Sequence, residues 1–120
     1  MDITNVAKTL KTFFSQFAPA FIKDSVPVGT QSPYCAYSLI TESFDSEGII
    51  QLHIYNDGSG IAELLEIAGR IETTIGESGI LLPGGNGYLW LYKGTPFAQI
   101  EPMGEEDFNG VYVTINFRNF

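Results

Sequence analysis

The sequence predicts an α+β domain: a mostly antiparallel (mixed) sheet of about five strands with two main helices packed on one face. Three observations predict it. Two segments carry apolar residues at three-four spacing, and five others have the alternation or the branched and aromatic richness of strands. Their order is helix, hairpin, helix, then three strands, which suits helices segregated to one side of a sheet. The chain has 120 residues, 44% of them hydrophobic and 17% charged, with no repeat or break in composition, so one domain over 1–120 is expected.

Residues 2 to 18 place Ile3, Val6, Ala7, Leu10, Phe13, Phe14 and Phe17 on one stripe, with Lys8, Lys11, Thr12 and Gln16 largely opposite. Pro19 is expected to end this helix, and the Pro, Gly and Ser content of 23–33 marks a loop. "YCAYSLIT" (34–41) and "GIIQLHIY" (48–55), separated by the polar "ESFDSE", read as an antiparallel hairpin. In the second of these, Ile50, Leu52 and Ile54 alternate with Gln51, His53 and Tyr55, giving one greasy face and one mixed face that could meet solvent or a partner. A second helix, about 59–76, aligns Ile61, Leu64, Leu65, Ala68, Ile71 and Ile75, with Glu63, Glu66, Arg70 and Glu77 outside the stripe. The Gly-rich 76–87 reads as a flexible lead-in to three strands at 88–93, 96–101 and 111–118.

Fourteen acidic residues against six basic ones give a net charge of -8, which opposes nonspecific binding to nucleic acid and to anionic membranes. The single cysteine, Cys35, rules out a disulfide within the chain and fits a reducing compartment. No basic segment followed by an apolar run opens the sequence and no window approaches about 18 apolar residues, so neither a secretory signal nor a membrane span is expected.

The stretch running from His53 to Gly76 passes through Gly58-Ser59-Gly60 between a strand and a helix, the place where phosphate-binding loops occur. It lacks the third glycine of a dinucleotide fingerprint, where Glu63 stands, and the Gly-Lys-Ser/Thr of a P-loop. Asp57, Glu63 and Glu66 would also repel a phosphate there. A structural corner accounts for each residue: Asn56, Asp57 and the glycines turn the chain, Ser59 caps the helix, and Glu63 favours its first turn.

Read as a calcium loop, the same stretch puts His53 and Leu64 where carboxylates are needed. Glu101, Glu105, Glu106 and Asp107 could gather calcium weakly, but a solvated loop that docks a partner is the better reading. Gly84, Gly85 and Asn86 form a second candidate docking loop. His53 is the only histidine, and with Cys35 it makes neither a triad nor a closed zinc site. No catalytic residue, metal or cofactor is therefore expected. Tyr88, Trp90 and Tyr92 alternate along one strand; without basic neighbours they read as core or subunit interface rather than as a base-stacking platform.

"SPYCAYSLI" after an amphipathic helix, then "IIQLHIYNDGSGIAELLEIAGRIETTI", then a last strand "VYVTINFRNF", resembles the tail terminator or minor tail (tail completion) proteins of long-tailed bacteriophages. The resemblance spans roughly 1–118 and lies in the hydrophobic pattern, the Pro-Tyr-x-x-Tyr strand, the Tyr-Asn-Asp corner and the "EIA-RI" helix core. The bare glycine corner, where relatives often keep a basic residue, departs from it. What the resemblance implies is a non-enzymatic virion protein, assembled in the host cytoplasm as a ring of sixfold order. Its partners would be its own copies, the tail tube protein and a head-tail connector or stopper, with DNA passing through the lumen unbound. Another neck component, an adaptor or stopper, and a small-molecule-binding α+β domain are the alternatives.

Overall fold

In a computed structural model of the chain, residues 1–43, 46–56, 61–102 and 109–120 are described. Helix α1 (Ile3–Phe14) begins at Asp2, whose Oδ1 accepts from the Asn5 N–H at 2.9 Å. It buries Val6, Leu10, Phe13 and Phe14. The expected helix reached residue 18; the regular helix stops at Phe14 because the next turn tightens, Phe17 N–H donating to the Phe14 carbonyl at 3.0 Å.

Six strands form one sheet: β1 (Ala20–Ile22), β2 (Tyr34–Ile40), β3 (Glu47–Asn56), β4 (Ile80–Gly84), β5 (Gly87–Pro102) and β6 (Asn109–Asn119), in the order β1-β2-β3-β6-β5-β4. The β2–β3 hairpin stands as expected, Tyr34 opposite Tyr55 and Ile40 opposite Ile49. β1 pairs with β2 in parallel and makes the sheet mixed. At three residues it is too short to show a period, which is why the sequence did not mark it as a strand.

Two further departures concern the late strands. The expected strands 88–93 and 96–101 are one strand, β5, whose register against β6 shifts between Lys93 and Ala98 at a bulge. The presumed flexible lead-in contains β4, with Ile80 and Leu82 packed against the core. Pro83 lies in this strand, and it is tolerated because β4 is a sheet edge.

Helix α2 (Ile61–Ile75) packs on β3, β5 and β6, while α1 reaches both edge strands, β1 and β4. One helix can touch both edges only if the sheet curls around it. Gly76, at φ 73°, ends α2 by donating its N–H to the Glu72 carbonyl at 2.9 Å. The buried stripe of α2 is Leu64, Ile67, Ala68, Ile71 and Ile75. Leu65, expected in that stripe, is 41% exposed, and Ile67 takes the inward position. The core unites these side chains with Cys35, Tyr37, Ile50, Leu52, Ile54, Leu89, Leu91, Val111, Val113, Ile115 and Phe117. No described helix is long and apolar enough to cross a membrane.

Candidate interaction surface

Because strand side chains alternate, the positions between the core residues form a second face, turned away from the helices. Register assembles it in rows. Ala36, His53, Tyr112 and Gln99 lie side by side across four strands, and Ser38, Gln51 and Thr114 make the next row. Tyr34 stands opposite Tyr55 with ring centroids 5.4 Å apart. The His53 ring meets Tyr112 edge-on at 4.1 Å and Tyr55 at 5.9 Å.

His53 Nδ1 and the Tyr55 hydroxyl are 2.8 Å apart. Burial, and secondarily the charge of Lys23, lowers the His53 pKa, which favours a neutral ring. Burial together with Tyr112 and Tyr34 pushes Tyr55 up to about 12, so its phenol keeps its proton. The phenol can then donate while Nδ1 accepts. Gln51, His53, Gln99, Tyr112 and Thr114 surround a depression of about 260 Å³. Such a surface offers stacking and amide hydrogen bonds with little charge.

The aromatic stripe of β5 belongs to this outward side. Leu89 and Leu91 take the core positions, so Tyr88, Trp90 and Tyr92 are not core residues, which removes half of the sequence expectation. Trp90 and Tyr92 lie 4.5 Å apart, the Trp90 Nε1–H donates to the Ser78 carbonyl at 3.1 Å, and Tyr88 is 55% exposed. Next to them the edge strand β4 leaves Leu81 58% exposed.

Cys35 and His53 sit on neighbouring strands, as expected, yet they project from opposite faces: Cys35 pairs with Ile54 and His53 with Ala36. The Cys35 thiol is fully buried, and burial pushes it up to about 12, far from a reactive thiolate. No group of three or more His, Cys, Asp or Glu residues placed to hold a metal ion occurs among the described residues.

Of the two candidate docking loops, Gly84, Gly85 and Asn86 form the tight β4–β5 connection, Gly84 pairing with Gly87. This connection is seated on α1. A Cβ on Gly84 would strike the Thr9 hydroxyl and one on Gly85 the Asn5 side chain, so glycine is what lets the hairpin close on the helix. It is thus a packed corner, contrary to the expected flexible lead-in. In the second loop Glu101 belongs to β5, its backbone opposite Gly110, while Glu105, Glu106 and Asp107 lie outside the described residues.

The corner residues Asp57, Gly58, Ser59 and Gly60 also lie outside the described residues, but both flanks are in place. Asn56, nearly fully buried, donates its amide to the Glu63 carboxylate at 3.2 Å and stands 3.4 Å from the Ser32 hydroxyl. Asn56 therefore ties the end of β3 to the first turn of α2. That bond places a carboxylate where a bound phosphate would need a donor.

No known protein family matches the sequence, and no curated protein does. Four chains of solved structure match it in fold. One of them superposes with a TM-score of 0.60 at 12% sequence identity, covering 98% of this chain and 92% of that one. At that identity the likeness shows a shared fold.

Proposed function

We propose that this chain is a non-enzymatic structural protein that forms a ring, capping the tail tube of a long-tailed phage and joining the tail to the head connector. The observation that carries the reading is the sheet face turned away from the helices. Tyr34, Tyr55, Tyr88, Trp90 and Tyr112 gather there with Gln51, Gln99 and Thr114, beside an edge that leaves Leu81 exposed. Aromatic side chains with few charges are what the centres of protein interfaces are built from, and contact with further copies would bury them. An open sheet also has two edges, β1 and β4, and ring closure is one way to cover edges. The resemblance in sequence pattern supplies the rest: sixfold order, tail tube protein and connector or stopper as neighbours, and a place in the virion after assembly in the host cytoplasm. The net charge of -8 suits a lumen through which DNA passes without adhering. An adaptor or stopper of the same neck would share these features and differ in the partner it binds.

Sedimentation across a concentration series, followed by negative-stain imaging with and without tail tube protein, tests the proposal. Six-membered rings with an open centre support it; a chain that stays monomeric alone and ignores tube ends refutes it. The depression beside His53 favours one competing reading, a small-molecule site. That reading expects a ligand-dependent rise in Tm which His53→Ala abolishes, and the ring proposal expects neither.

A further inference from the structure

Two adjoining apolar clefts, of about 230 and 350 Å³, lie between α1 and the β1 edge and share Ala7, Ile22 and Tyr37. Lys8 and Lys11 stand on one and Lys23 on the other, with Asp24 the one carboxylate among the lining residues. These are three of the six basic residues of the chain. The remaining three are engaged elsewhere: Lys93 with Glu72 at 3.5 Å, Arg70 with the Gln16 carbonyl and the Phe17 ring, Arg118 over Phe120. Lys11 lies 5.5 Å from the Phe21 ring centroid, and no described carboxylate comes within salt-bridge distance of Lys8, Lys11 or Lys23. Ile22, at the cleft, is 46% exposed. The cleft is thus a greasy floor under ammonium groups that no described carboxylate pairs, in a chain whose other residues count 14 acidic against 3 basic.

A complementary surface exists on the same molecule. The outer side of α2 carries Glu63, Glu66 and Glu72 against one cation, Arg70, with Leu65 41% exposed on its flank, and Gly69, one turn on from Leu65, leaves open space above the helix. Two copies meeting cleft to cleft would set lysines against lysines. A contact from the cleft of one copy to α2 of the next sets ammonium groups against carboxylates and Ile22 against Leu65. Charge complementarity therefore selects a head-to-tail contact, the kind that closes into rings.

We propose that the lysine-rimmed cleft beside α1 receives the outer face of α2 from a second copy of this chain. The inference rests on the ring reading above and names the two surfaces that would build the ring. Two charge-reversed chains test it, Lys8→Glu/Lys11→Glu and Glu63→Lys/Glu66→Lys. Glu66→Lys alone serves as a second acidic-side variant, because Glu63 also bonds Asn56.

The expected result is assembly of the unaltered chain that weakens with salt, and loss of at least about tenfold in association for each variant alone. Mixing the two complementary variants should restore it. Variants that fold and still assemble like the parent, or a mixture of folded variants that stays apart, overturn the proposed surfaces while leaving the ring reading standing. Poly-glutamate that binds the cleft while the Lys8→Glu/Lys11→Glu chain assembles normally overturns them too. A parent chain that never assembles, alone or with tail tube protein, overturns both.

Discussion

The two faces of the β3–β6 pair show how one strand serves two purposes. Toward the helices, Ile50 faces Ile115, Leu52 faces Val113 and Ile54 faces Val111, and all six are fully buried. On the other side Gln51 faces Thr114 and His53 faces Tyr112, with ring contacts and a shallow depression in place of a covering layer. Both faces share one backbone ladder, so their difference is entirely one of side chains. The inward face stabilises the fold through apolar area removed from water, roughly 25 cal/mol per Å²; on the outward face Tyr34, Tyr55, Trp90 and Tyr112 are only half-buried and Tyr88 is 55% exposed. A surface that folding does not bury is available for association.

The largest test of this contrast is a matched pair of truncations. Leu52→Ala should lower stability by about 2–5 kcal/mol, because a cavity opens in a closed core, whereas Gln51→Ala one position away should change it by less than about 0.5 kcal/mol. Urea unfolding of both variants reads the difference directly, and equal losses would break the division into faces. Next in size is the joint between the faces. Gly79 sits at φ 82°, and a Cβ there would strike the Trp90 indole and approach the Leu91 carbonyl at 2.5 Å. Gly79→Ala should therefore cost about 1–3 kcal/mol and move the Trp90 fluorescence, which reports the outward side.

Titration sharpens the contrast further, since Cys35 and His53 sit on adjacent strands and face opposite ways. The folded-state pKa of Cys35 rises from its ordinary 9.0 to about 12. Its contribution to stability is full below 9.0 and is lost as pH climbs through about 12. A thiol reagent at pH 8 should therefore label Cys35 only as fast as the chain opens, and rapid labelling of the folded protein would contradict the burial. The smallest expected effect belongs to His53, whose folded-state pKa is lowered. Its contribution is present above the ordinary 6.5 and diminishes as pH falls below it, so acidification should weaken the fold slightly. An NMR titration of the ring with a midpoint above 6.5 would contradict the neutral, Tyr55-bonded imidazole.

Much of this architecture is legible in local pattern. The alternation of Ile50, Leu52 and Ile54 with Gln51, His53 and Tyr55 fixes which side of β3 is buried, because a period of two leaves no other arrangement. Heptad-like spacing likewise marks α1 and α2. Leu65 shows the limit of such reading: at the boundary of a helical stripe a turn of a few tens of degrees exchanges Leu65 for Ile67, and only the partner surface decides the rotation. Three-residue β1 has no period to read, and β4 hides in a stretch of glycine and proline whose punctuation suggests a loop.

By itself the sequence determined the α+β class, the antiparallel hairpin and the inward row of β3, since these follow from residue type and spacing along a short segment. Tertiary structure alone decided the curl that brings both sheet edges to α1, and the continuity of β5 through its bulge. It also decided the grouping of Tyr34, Tyr55, His53, Tyr112 and the β5 aromatics on the face turned away from the helices, and the gathering of Lys8, Lys11 and Lys23 around two adjoining clefts. These are contacts between residues far apart in the chain. Their free energy depends on which surfaces meet after the chain has collapsed, and local spacing carries no record of that.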